Sequence, residues 1–201
     1  SATDTAAMRA EKAALRALYQ LRPEGGNDPR SSAAARAALV ATALKRGVSQ
    51  CVSMNITGGL DTHFGTQLTH AQNQRVGWNA LADLVTDLKN SPHPSGGSFM
   101  EHTTVLVFSE FSRTPLINAS GGRDHHITNS CMLLGKGIKH NTVFGKSGDV
   151  GLSAGIIDHS TGLPSPGGFQ ILPDHVIATV MKAAGIDYSI TRVEPLTGLL
   201  A

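Results

Sequence analysis

The sequence predicts a soluble α/β domain in which a mostly parallel β-sheet is flanked by helices. Three observations carry that expectation. Short apolar runs rich in Val, Ile, Leu and Phe recur at 48–57, 103–111 and 130–137. A long amphipathic segment, 67–90, separates the first two. Strand, long helix, strand, loop, strand is the rhythm of a parallel sheet covered by helices.

The elements follow in order. Residues 4–20 place Met8, Leu15, Leu18 and Tyr19 on one side of a helix. "RPEGGNDPR" breaks the pattern with Pro and paired Gly. Residues 31–46 open on two Ser suited to an N-cap and close on Lys45-Arg46-Gly47, a helix-end signal. "VSQCVSMNIT" (48–57) reads as a strand ended by Gly58-Gly59, and "LDTHFGTQ" as the loop after it. Residues 67–90 form a helix with Leu81, Leu84, Val85 and Leu88 on one face. "TTVLVFSEF" (103–111) is the clearest strand, of the kind buried on both faces. "SCMLLGKG" (130–137) is a third, and "NTVFGKSG" a shorter fourth. Residues 149–170 read as irregular, and 173–185 as a helix with Pro173 in its first turn and Gly185 past its end.

Composition narrows the function classes. The chain has 201 residues, 40% of them hydrophobic and 16% charged, so one domain with a real core is expected rather than disorder. Net charge is only +2, and no Lys/Arg-rich run occurs, which argues against a nucleic-acid partner. No apolar run approaches a membrane span. Cys51 and Cys131 fall in apolar stretches, so a disulfide and two buried thiols are both compatible with the sequence. The chain begins at Ser1 in a helical pattern, and the expectation is the C-terminal portion of a longer protein.

In open parallel sheets, sites form at the carboxyl ends of the strands. Asp61-Thr62-His63 follows the first strand, Ser109-Glu110 ends the second, and Arg123-Asp124-His125-His126 precedes the third. On that topology, Asp61, His63, Glu110, Asp124, His125 and His126 gather along one edge. Packed carboxylates repel each other, and a divalent cation relieves the repulsion. A mixed His and carboxylate set suits zinc or manganese ahead of calcium, which prefers oxygen alone. Arg113 and Arg123 are candidates to hold an anionic oxygen of a substrate, because guanidinium matches phosphate and sulfate bidentately. The bland readings are a turn capped by Asp61, an ion pair between Glu110 and Arg113, and an ion-pair network without metal. His70 reads as a surface residue. Thr62 and Thr114 can each be weighed as a substitute nucleophile, and nothing in the sequence favours either.

"GGLDTHFGTQ", "VFSEFSRT" and "NASGGRDHH" together resemble the domain-of-unknown-function 1501 family. Its members carry Gly-x-Asp-Thr-His, Ser-Glu-Phe-Gly-Arg-Thr and Gly-x-Asp-His-Gly in that order. The resemblance runs from about residue 35 to the end. Ser112 and His126 each stand where the family usually has Gly. That family looks like a branch of the alkaline phosphatase, sulfatase and phosphoglycerate mutase superfamily. The resemblance implies an alkaline-phosphatase/sulfatase-like core lacking its N-terminal part. It further implies Asp61, His63 and His125 or His126 at one metal, Glu110 at a second, and Asp124 orienting the histidine. It implies a metal-dependent hydrolase of small phosphate or sulfate esters, exported or periplasmic in its full-length form. An N-terminal segment or chain, bearing the nucleophile, would complete the site. The competing reading is a non-catalytic metal-binding or structural module that keeps the fold.

Overall fold

Residues 3–21 and 32–201 are described by the computed structural model, and they cluster into two units. The first comprises Ser1–Phe99 with Ile117–Gly122, and the second Met100–Leu116 with Arg123–Ala201. The 22–30 break and Ser31 lie outside the described residues.

In the first unit, capping and apolar spacing set three helices. α1 (Ala6–Leu18) starts where the Thr5 hydroxyl accepts from the Met8 amide at 3.2 Å. α2 (Ala33–Lys45) starts where Ser32 accepts from the Ala35 amide at 3.1 Å. α3 (Gln67–Asn90) buries Gly77, Ala80, Leu81, Leu84, Asp87 and Leu88, a stripe at helical spacing. It faces Ala33, Ala37, Ala38, Val40 and Ala41 of α2, whose small side chains let the two helices approach closely.

One carboxylate ties the three helices together. Asp87, 6% exposed, accepts from the Tyr19 hydroxyl at 3.0 Å, Lys45 Nζ at 2.6 Å and Ser91 Oγ at 3.1 Å. Burial first, and then the Asp87 charge, push the Tyr19 phenol above its ordinary value of 10.0. The folded chain therefore favours neutral Tyr19, while the unfolded chain ionises it near pH 10. The stabilisation is whole below that pH and is lost above it. Unfolding free energies of wild type and Tyr19→Phe, compared from pH 8 to 11, should show the wild type falling more steeply above pH 10, by about 1.4 kcal/mol per pH unit. Parallel curves would remove the phenol from this account.

In the second unit, β1 (Thr104–Val107) pairs antiparallel with β4 (Met132–Gly135), in the register Thr104↔Gly135 to Val107↔Met132. β2 (Ser112–Arg113) pairs antiparallel with β3 (His125–His126). α4 (Pro173–Ala184) packs on β1. It opens with Pro173 at its first position and closes at Gly185, whose φ of 82° is the left-handed conformation of a helix end. Met100, Ile138, Ile157, Ala178, Ala183 and Leu196 form the core. Buried Thr179 sits among them, its hydroxyl donating to the His175 carbonyl and accepting from the Leu196 amide.

The mostly parallel sheet expected from the sequence is not formed. Among the described residues there are four α-helices and two small antiparallel sheets, so a sulfatase-like parallel core is not the fold seen here. Two local causes are visible. Residues 48–57 make no strand, because Ser, Asn and Thr side chains satisfy the backbone instead. The Thr57 amide donates to Asn55 Oδ1 at 2.8 Å, and Arg36 Nε donates to the Asn55 carbonyl at 2.6 Å. The 103–111 run forms a strand over only four residues, each half-buried rather than buried on both faces, and Phe108 just beyond is exposed. The fourth strand is also absent, and its residues contribute one isolated bridge, Ser147↔Ala154. Cys51 and Cys131 are both free and exposed rather than buried. Among the described residues, no helix is long and apolar enough to cross a membrane.

Candidate metal centre

With the parallel sheet gone, convergence at strand ends no longer argues for the site. What remains is local geometry, which differs from one motif to the next.

In the first unit, burial alternates along Asp61-Thr62-His63: Asp61 exposed, Thr62 buried at 2%, His63 half-buried. Asp61 and His63 bring their side chains together, with His63 Nε2 and Asp61 Oδ1 3.2 Å apart. The segment is braced from behind. Asn118 Nδ2 donates to the His63 carbonyl at 3.2 Å, while Asn118 Oδ1 accepts from the Ser120 and Gly122 amides. Gly122 presses so closely on His63 that an added Cβ would overlap its carbonyl carbon and oxygen. Asn118 is thus a loop-closing residue that holds the His63 backbone.

In the second unit, the β2–β3 ladder sets the histidines in cross-strand pairs, Arg113↔His125 and Ser112↔His126. Adjacent strand residues face opposite sides, so His125 and His126 do not serve one ion together. His125 is exposed, its ring 4.1 Å from that of Phe111. His126 is engaged at both nitrogens: Nδ1 accepts from the Thr128 amide at 3.2 Å, and Nε2 lies 3.1 Å from the Gly151 carbonyl. That pattern puts its proton on Nε2 and gives the ring a structural task.

The remaining candidates sit around the same hairpin. Asp124 is exposed, and its backbone brackets Thr114: the Thr114 amide donates to the Asp124 carbonyl, and the Asp124 amide donates to Thr114 Oγ1. Arg113 Nη1 donates to the Arg123 carbonyl at 3.1 Å, and its guanidinium lies 5.4 Å from the Phe111 ring centre. Arg123 Nη1 donates to the carbonyls of Thr114, at 3.0 Å, and Pro115. Both guanidinium groups thus help close the 113–124 loop. Glu110 lies three residues beyond the end of β1, exposed, and makes no salt bridge among the described residues, so neither the strand-end placement nor the Arg113 pair is realised. Within the second unit, no three of its described His, Asp, Glu and Cys side chains come within ligand distance of one another. Asp158-His159 belongs to its own segment: Asp158 accepts from the Ser160 amide and hydroxyl, and the His159 ring packs against His175 at 4.7 Å.

One feature escaped the sequence reading. His70 is bonded to Thr62, with Nδ1 3.1 Å from Oγ1, and so is more than a surface residue. The signal was the spacing of His70, Gln74 and Trp78 at every fourth residue of a predicted helix.

The family described as "Protein of unknown function (DUF1501)" matches residues 1–160, and the chain belongs to that family. The match holds all three motifs and ends before α4. No curated protein and no solved structure matches the chain.

Proposed function

We propose that this chain is a metal-binding domain of a hydrolase acting on small phosphate or sulfate esters. The observation that carries the reading is the Asp61–His63 pair, a carboxylate and an imidazole held 3.2 Å apart on one side of a braced segment. An oxygen and a nitrogen donor at that spacing suit zinc or manganese. Two donors do not make a tight site, and the order of the motifs assigns a further ligand to His125, with Asp124 and Glu110 as carboxylates able to join. His126 is left out because both its nitrogens are occupied.

A bound ion would polarise an ester oxygen and stabilise the charge that develops there. The chain's own residues would orient it: Thr62 holds the segment inward, and Asn118 fixes the His63 carbonyl. Arg113 and Arg123 are the cations nearest in sequence to these ligands and would meet the anion, since guanidinium matches phosphate and sulfate bidentately. The motif order resembles that of the alkaline phosphatase and sulfatase-like superfamily, and the reading includes export of the full-length form on that likeness. The second reading, a metal-binding module without turnover, is favoured by one observation: both guanidinium groups already donate to backbone carbonyls of their own loop.

The test is metal content and turnover together. The chain, purified without chelator and loaded with zinc or manganese, is expected to retain the ion through gel filtration, and His63→Ala and His125→Ala to weaken retention at least about tenfold. A wild type that keeps no ion ends both readings. Hydrolysis of aryl phosphates or aryl sulfates that disappears on chelation selects the hydrolase; retention without turnover selects the module.

A further inference from the structure

His70, Gln74 and Trp78 recur every four residues along one face of α3, so their side chains stack in a row. Trp78 Nε1 donates to Gln74 Oε1 at 2.9 Å. Gln74 Nε2 lies 3.2 Å from His70 Nε2, and His70 Nδ1 lies 3.1 Å from Thr62 Oγ1. An indole N–H only donates, so Trp78 fixes which way the Gln74 amide turns. The Gln74 NH2 then faces His70 Nε2, which must accept. The His70 proton is thereby placed on Nδ1, where it donates to Thr62 Oγ1.

The row ends on the residue between the two proposed ligands. Thr62 is 2% exposed, and a hydroxyl so buried needs a partner to hold its segment in place. The same helix also grips the approach to the motif: Thr57 Oγ1 donates to the Asn73 carbonyl, and Asn73 Nδ2 donates to the Gly59 carbonyl.

We infer that Trp78, Gln74 and His70 form a directional hydrogen-bond row that positions Thr62, and through it sets the Asp61 and His63 side chains on one side of the chain for a metal ion. Thr62 is a positioning residue, not a nucleophile, because His70 turns a proton toward its oxygen rather than a basic nitrogen. The metal consequence rests on the reading of Asp61 and His63 as ligands; the direction of the row does not.

Two measurements on the full chain test it. Long-range nitrogen–proton NMR should show His70 protonated on Nδ1, with Trp78→Phe, a change at an exposed ring, mixing the two tautomers. Zinc titration should show Thr62→Val weakening binding about tenfold or more, and Thr62→Ser restoring it. His70 protonated on Nε2 in the wild type, or equal zinc affinity in Thr62→Val and Thr62→Ser, overturns the inference. If wild type binds no zinc, the ligand reading fails separately. The row is then judged by its tautomer and by amide exchange over residues 61–63, which should quicken in Thr62→Val and recover in Thr62→Ser.

Discussion

Asp87→Ala is expected to lower the unfolding free energy by about 3–5 kcal/mol, the usual cost of removing one partner of a buried ion pair. The carboxylate is the common acceptor for Tyr19, Lys45 and Ser91. Its loss leaves a buried phenol without an acceptor and the Lys45 ammonium, 22% exposed, without a counter-charge. Urea unfolding at neutral pH measures the loss. The double variant Lys45→Met/Asp87→Leu should recover much of it, since two apolar groups of similar size leave no uncompensated charge. A loss below about 1 kcal/mol in the single variant would mean that solvent already screens the pair.

Gly122→Ala should cost about 3 kcal/mol, and more where the loop cannot shift, because the new methyl meets backbone and not a yielding side chain. The added carbon would overlap the His63 carbonyl carbon and oxygen and the Phe64 nitrogen, so it cannot fit without moving the Asp-Thr-His segment. The same substitution should therefore impair zinc or manganese binding. Gly58→Ala supplies the control: the added carbon would meet nothing within 4 Å, and stability should change by less than about 0.5 kcal/mol. Equal melting temperatures for the two variants would show that the 118–122 loop does not press on His63.

These two outcomes bear on different levels of legibility. The helices could be read from the sequence because their signals are local. The 67–90 segment becomes α3 over Gln67–Asn90, and Pro173 and Gly185 bound α4 as their backbone chemistry dictates. The sheet could not. An apolar run such as 103–111 marks a strand without naming its neighbour, and pairing depends on residues far along the chain. β1 meets β4 antiparallel, and the first expected strand yields to Asn and Thr side chains. The Asp-Thr-His motif could be singled out as a run of residue types, but the strand end expected to place it does not form, and the closeness of Asp61 to His63 shows only in the fold. The structural bonding of His126 was not legible, since it depends on the ladder with β2 and on Thr128 and Gly151.

By itself, then, the sequence determined the helices, their ends, the motifs and the family. Tertiary structure alone decided strand pairing, the acceptor role of Asp87, the glycine at 122 and the orientation of the His70 row. The physical reason is range: helix hydrogen bonds and caps close within a few residues, whereas a ladder partner or a buried polar contact is chosen only once distant segments meet.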